Sequence, residues 1–159
     1  RTFDPARDFI VCANILGSCY GTTGPVSVKP GTDERYRADF PRITVRDIDA
    51  LERAAVSTGN IGSLARSPRW GTLGEVMGAE DRTRGYGDYY HYHRLAAGQI
   101  DAVIESDVNI LDIAALVVIV REAGGVFTDL DGNTPGLETR SVLAAAPALH
   151  GTLLDLIGA

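Results

Sequence analysis

Leu111-Asp112-Ile113-Ala114-Ala115-Leu116-Val117-Val118-Ile119-Val120-Arg121-Glu122-Ala123-Gly124-Gly125 is the stretch on which the reading of this chain turns. Apolar side chains fall on nearly every face of a helix built from it. Asp112 sits at the leading end, where free N–H groups and the positive end of the helix dipole lie, and Gly124-Gly125 stops it. A helix over Leu111 to Ala123 with so little polar surface is expected to be buried between layers, with a sheet on at least one side. Arg121 and Glu122 cut the apolar run, and no stretch of 18 or more apolar residues occurs, which excludes a membrane-spanning helix.

Upstream, Ile100 to Glu105 alternates apolar and polar positions and predicts a strand. Asp88 to Gly98 predicts a helix ended by a glycine cap, and Trp70 to Met77 a short helix broken by Gly71 and Gly74. Gly59-Asn60-Ile61-Gly62 reads as a turn, and Ile48 to Val56 has apolar residues at helical or mixed spacing. Downstream, Val126 to Thr128 and Ser141 to Ala145 predict strands around an Asp131-Gly132-Asn133 turn, and Ala148 to Ile157 predicts a closing amphipathic helix. The order β-α-β-β-α gives an α/β fold, a layered α-β-α arrangement.

The first 47 residues differ in character. They carry seven basic and six acidic side chains, net +1, whereas residues 48–159 carry eight and fifteen, net -7. Phe9 to Ala13 reads as a short buried strand, Asn14 to Pro30 as a loop dense in Gly, Thr, Ser and Pro, and Ile43-Thr44-Val45 as a further strand. No long periodic helix occurs here, so this part needs a partner to build a core. The start Arg1-Thr2-Phe3-Asp4-Pro5 has neither an apolar leader nor a Met, which reads as a piece of a longer chain without a secretion signal. Cys12 and Cys19 are expected to be small buried hydrophobes in a reducing cytoplasm. A net charge of -6 with no Lys/Arg cluster among aromatics argues against nucleic acid as a partner, and a soluble cytoplasmic protein is expected.

Chemistry concentrates on two carboxylates. Glu105 closes one predicted strand and Asp112 opens the next helix seven residues later, so both fall at one edge of the sheet beside a helix amino terminus. That edge suits an anionic group, and a carboxylate there suits Mg²⁺, which takes one or two protein carboxylates with waters and a phosphate oxygen. On spacing alone, a capping Asp112 and a solvated Glu105 explain the same pattern. In Tyr89-Tyr90-His91-Tyr92-His93 the two histidines face apart on a helix, which gives them packing and surface roles; His150 in the last helix reads the same way.

Leu111-Asp112-Ile113-Ala114-Ala115, followed by Glu122-Ala123-Gly124-Gly125, resembles the second signature of the inositol monophosphatase superfamily, Trp-Asp-x-Ala-Ala/Gly with a helix and then Glu-Ala-Gly-Gly. Leu111 in place of Trp, and Arg84-Gly85-Tyr86-Gly87-Asp88-Tyr89 upstream, are similar to the histidinol-phosphatase-like branch. The resemblance covers about Ile48 to Ala159. It implies Mg²⁺-dependent hydrolysis of a small phosphate monoester, of the histidinol phosphate or inositol phosphate class, in a cytoplasmic homodimer, with a place in histidine biosynthesis for that branch. By the same resemblance Asp112 is a metal ligand and Glu105 contacts a polar group of the substrate. Gly87 and Asp88 border the pocket, Asp88 facing a cationic amine or imidazole, and Arg84 either pairs with a pocket carboxylate or makes a structural ion pair. Family members place further metal carboxylates on an upstream Glu and an Asp-Pro-Ile/Leu-Asp-Gly-Thr/Ser motif, and that motif is absent from this sequence.

Asn14 to Pro25 and Asp39 to Asp47, in contrast, resemble an early segment of homoserine O-acetyltransferases, α/β-hydrolase enzymes in which the Asn-x-Leu-Gly stretch helps to form an oxyanion hole. The nucleophile elbow Gly-x-Ser-x-Gly has no counterpart here. The reading is therefore an acetyltransferase-like segment, residues 1–47, joined to a phosphatase-like domain, residues 48–159. The alternatives are an acyltransferase fragment and a non-catalytic fused α/β module.

Overall fold

The computed structural model describes residues 28–35 and 44–158, and the chain divides into two units, Arg1–Arg42 and Ile43–Ala159. The readings placed on Phe9 to Ala13, Asn14 to Pro25, Asp39 to Ile43, Cys12 and Cys19 lie outside the described residues or largely so. Within the first unit, Val28 and Arg35 form an antiparallel bridge around a turn, closed by the Lys29 amide donating to the Glu34 carbonyl at 2.8 Å.

The second unit runs β1 (Ala55–Thr58), α1 (Ile61–Ala65), α2 (Trp70–Ala79), β2 (Arg82–Arg84), α3 (Asp88–Ala96), β3 (Ala102–Ser106), α4 (Ile110–Glu122), β4 (Val126–Thr128), β5 (Ser141–Ala145) and α5 (Pro147–Gly158). The strands form one sheet in the order β2-β1-β3-β5-β4, with β1 parallel to both β2 and β3, and β5 antiparallel to β3 and β4.

Strand alternation sorts the core into two halves, because successive side chains point to opposite faces of a sheet. Val56, Ala102, Ile104, Leu143 and Ala145 join Leu64 of α1, Leu73 and Val76 of α2, and Leu149, Leu153 and Ile157 of α5. Val103, Val142, Ala144 and Phe127 join Tyr92 and Leu95 of α3 and Ile113, Leu116 and Val120 of α4. The sheet is thus the middle layer of an α-β-α sandwich, as the sequence predicts.

Several expectations need correction. The stretch Ile48 to Val56 resolves into a 3-10 turn at Leu51–Arg53 and the start of β1, and Thr44-Val45 is not a strand: the Val45 amide instead donates to the Ala123 carbonyl at 3.0 Å. Ile61 and Gly62 already belong to α1, which Asn60 caps through its side chain onto the Ser63 amide. Gly71 and Gly74 do not break α2, because Leu73 and Val76 are buried against the sheet and α5, and packing outweighs the roughly 1 kcal/mol that an interior glycine costs. β2, which the sequence reading misses, is an exposed edge strand Arg-Thr-Arg with no apolar signal to find.

The largest correction concerns α4, which is not buried on every face. Ile113, Leu116 and Val120 pack inward, but Leu111 is 90% exposed, Val118 is 59% exposed, and Ala114 and Ala115 are exposed as well. One side of the helix meets the sheet and α3. Among the described residues nothing covers the other. Its ends follow the sequence: Asn109 and Asp112 form a capping box, and Gly124 takes the left-handed conformation, φ +87°, that lets the Gly125 amide return to Val120 at 2.9 Å.

Glu80, just after α2, is half-buried, and one of its oxygens, Oε2, is sealed from solvent without a partner while Thr83 donates to the other. Burial pushes this carboxyl up from 4.5 to about 7, against the opposing Thr83 hydrogen bond. A raised folded-state value means stability that is full below about pH 4.5 and is lost as the pH rises through about 7. Glu80→Gln is therefore expected to gain up to about 1 kcal/mol at pH 8, after allowance for solvent screening, and to change little at pH 4, read by urea unfolding at the two pH values.

Candidate functional site at the carboxyl edge of the parallel strands

The parallel strands β2, β1 and β3 all end at one edge of the sheet, where α3 and α4 begin. In α/β sheets this carboxyl edge is the usual ligand site, since loops diverge there and helix amino termini point at it. All five residues singled out from the sequence lie on this edge. Arg84 ends β2, Gly87 caps α3 and Asp88 opens it, Glu105 lies one residue before the end of β3, and Asp112 is in the first turn of α4.

Their surroundings differ. Glu105 is only 8% exposed and is no solvated strand end. Its Oε2 accepts from the Tyr92 hydroxyl at 2.5 Å and lies 3.1 Å from His91 Nε2. The His91 ring is wholly buried, and its Nδ1 lies 3.3 Å from the Ser57 hydroxyl, which in turn accepts from the Tyr86 amide at 3.3 Å. Ser57, on the central strand β1, is itself 0% exposed. Burial first, then the charge of Glu105 and the hydrogen bond to it, and then the charge of Asp112, push the Tyr92 hydroxyl well above the ordinary tyrosine range. Both carboxylates therefore act on one buried phenol.

The Glu105 carboxylate also lies directly over Gly59, the residue after β1. A Cβ there would come within 2.5 Å of Glu105 Cδ and 2.8 Å of its Cγ, so only glycine leaves room for the carboxylate. Oε1 takes no donor among the described residues and is not sealed off from solvent. Beside it, Asp107 in a left-handed conformation, φ +64°, turns the chain from β3 toward α4 and accepts from the Asn60 side chain at 2.9 Å.

Asp112 is exposed. Its Oδ2 accepts from the Asn109 backbone at 3.1 Å and from the Asn109 side-chain amide at 2.5 Å, so the capping role is real. Its Oδ1 takes no donor among the described residues. Among those residues no group of three or more His, Cys, Asp and Glu converges as a metal cage. Arg84 is exposed and donates to the Thr83 carbonyl at 2.7 Å, with no ion pair to a carboxylate among the described residues. Asp88 is exposed with φ +55°, an unusual backbone state for a residue other than glycine.

The sequence reading misses the buried links. It separates His91 from His93 correctly, since His93 packs its ring against Tyr89 at 5.2 Å while His91 points inward, but it gives no sign that His91 joins Ser57 to Glu105. His150 is buried, with Nε2 2.9 Å from the Thr128 hydroxyl, and burial holds it below the ordinary imidazole range.

Comparison with known proteins agrees with this fold. The extragenic suppressor protein suhB from Bartonella henselae is 27% identical, with a TM-score of 0.64 over 75% of this chain and 47% of that structure. An inositol monophosphatase from Zymomonas mobilis is also 27% identical, with a TM-score of 0.66 over 74% of this chain and 47% of its own. A homoserine O-acetyltransferase from Chloroherpeton thalassium is 44% identical over 80 residues, 50% of this chain but 21% of that protein. The chain thus spans about half the length of the solved structures that it resembles and about a fifth of the acetyltransferase. The model of the inositol monophosphatase family matches residues 31–158, which include every residue of the carboxyl-edge site, and the chain belongs to that family.

Proposed function

We propose that the carboxyl edge of β1 and β3 is part of a Mg²⁺-assisted phosphomonoesterase site for a small phosphate ester of the histidinol phosphate or inositol phosphate class. What carries this reading is the placement of Glu105 and Asp112, two acidic side chains from neighbouring elements, each with one carboxylate oxygen left without a donor among the described residues. In this reading Asp112 would hold the cation, which when bound would supply charge for the phosphoryl oxygens and activate a water. Glu105 accepts from a hydroxyl or ammonium group of the ester. Gly87 and Asp88 border the pocket, with Asp88 free to meet a cationic amine or imidazole, and Arg84 is available to an anionic group. The α4 dipole favours the anionic phosphate on the same side.

One carboxylate holds Mg²⁺ weakly, because the ion gives up its waters reluctantly. With the upstream Asp-Pro-Ile/Leu-Asp-Gly-Thr/Ser motif absent from this sequence, full turnover requires carboxylates from outside it. Phosphate release from histidinol phosphate and from inositol 1-phosphate, each with and without Mg²⁺, tests the reading. Slow release that needs Mg²⁺ is expected, and release of equal rate without the ion contradicts it.

The likeness to homoserine O-acetyltransferases supports a second reading, residues 1–47 as an acyltransferase-derived segment. The order Ser57, His91, Glu105 has the connectivity of a nucleophile triad. Yet Ser57 is 0% exposed and its hydroxyl already accepts from the Tyr86 amide, so no acyl group reaches it. Acetyl transfer from this chain is accordingly not expected.

A further inference from the structure

We infer that His91 is a positioning residue for Glu105: a neutral ring with its proton on Nε2 fixes one carboxylate oxygen and turns the other toward the ligand edge. The inference rests on the reading of Glu105 as a ligand contact, and it follows from counting donors. An ionised carboxylate only accepts, and Glu105 Oε2 meets two groups, the Tyr92 hydroxyl at 2.5 Å and His91 Nε2 at 3.1 Å. Both must donate. With its proton on Nε2, a neutral His91 presents Nδ1 as an acceptor, 3.3 Å from the Ser57 hydroxyl. Ser57 donates its hydroxyl proton there while its oxygen accepts from the Tyr86 amide. Every hydrogen bond then runs one way, from the Tyr86 amide through Ser57 and His91 to Glu105, with no buried donor left over.

Burial makes this chain rigid. Ser57 and His91 are 0% exposed and Tyr92 is 1% exposed, so water does not compete for these bonds. Tyr92 is held in turn by Phe127, with ring centroids 5.5 Å apart and planes within 21°. On the other side, Gly59 leaves just enough space for the carboxylate: Oε1 lies closest to it, and Cδ would lie 2.5 Å from any Cβ added there. Anchored at Oε2 and confined over Gly59, Glu105 keeps only Oε1 for a partner, and an ionised oxygen in that position selects a hydroxyl or ammonium donor.

The experiment compares the wild-type chain with His91→Gln, which retains a donor, and His91→Phe, which does not. In long-range ¹H–¹⁵N spectra of the histidine-labelled wild type, the His91 ring is expected neutral, with its proton on Nε2 and in slow exchange with water. His91→Phe is expected to shift the Glu105 carboxyl ¹³C signal and the Gly59 amide, and His91→Gln to restore both in large part. With Mg²⁺ and histidinol phosphate as the probe, His91→Phe is expected to weaken binding roughly tenfold or more, the size of a lost charge-assisted hydrogen bond. Mg²⁺-induced shifts at Asp112 are expected to persist in both variants.

A proton on Nδ1 in the wild type overturns the inference even if the Phe variant does not fold. Unmoved Glu105 and Gly59 signals in His91→Phe overturn it as well, as does unchanged probe binding in that variant. If the wild type shows the expected tautomer and shifts but binds no histidinol phosphate, the positioning of Glu105 stands and the proposed substrate class falls.

Discussion

Phe127→Ala is expected to destabilise the second unit by about 3–5 kcal/mol, the largest single effect on stability anticipated in this chain. Phe127 is 1% exposed although it sits on β4, an edge strand of three residues. Its ring points into the layer of α3 and α4, where it meets Tyr92, Leu116 and Val120 in one core cluster. Truncation removes the transfer energy of an aromatic ring and leaves a cavity that two anchored helices cannot readily close. For a unit of this size the loss corresponds to a fall in melting temperature of roughly 12–20 °C. Thermal unfolding checks it, and a loss below about 1 kcal/mol would show that the layer relaxes around the missing ring. Because Phe127 stacks on Tyr92, the substitution is also expected to loosen the hydroxyl that anchors Glu105, so core and site are expected to weaken together.

Much of the fold is legible in the sequence where local signals and burial agree. α4 is marked at both ends, by Asp112 within a capping box and by Gly124 past the last turn, and α3 by Gly98 at φ +66° after its final residues. β3 and β5 are legible because their apolar residues pass through the middle of the sheet. β1 is obscured because Ser57 and Thr58 look like loop residues; they are buried because His91 and the sheet satisfy them, a tertiary fact that no window of sequence contains. β2 is obscured because an exposed edge strand needs no apolar residue. The exposed side of α4 misleads for the opposite reason. Leu111 and Val118 are residue types typical of a buried helix, yet both are exposed, because composition does not say what lies beside them.

The site divides in the same way. Asp112 and Glu105 stand out because a helix start and a strand end are recognisable positions for carboxylates at a sheet edge, and the topology places both there. The parts that hold Glu105 in place are hidden: Ser57, His91 and Gly59 come from separate elements and meet only once β1, α3 and β3 are packed. A pattern of two histidines two residues apart says that they face apart, and nothing about which one is inside. Gly59 could be read only as a turn glycine, whereas its structural task is to leave space for a neighbour's side chain.

Asp112→Asn carries the largest expected effect on the site. Asparagine keeps an acceptor for the Asn109 amide, so the start of α4 survives with a cost no greater than that of a weakened cap, about 0.5–2 kcal/mol. The charge is lost, and with it the group proposed to face the ion. Loss of a partner that merely orients a metal ligand typically lowers affinity about 10–100-fold, so loss of the ligand's own charge is expected to do at least as much.

Paramagnetic broadening by Mn²⁺ in amide spectra of the wild type and of Asp112→Asn measures this directly. In the wild type, Asn109 to Asp112 and Glu105 to Asp107 should broaden first and at the lowest Mn²⁺ concentration, and in the variant they should broaden no earlier than the other acidic surfaces. Equal broadening of these amides in both proteins, or first broadening around Asp129 and Asp131 in the wild type, would contradict a cation site at the start of α4.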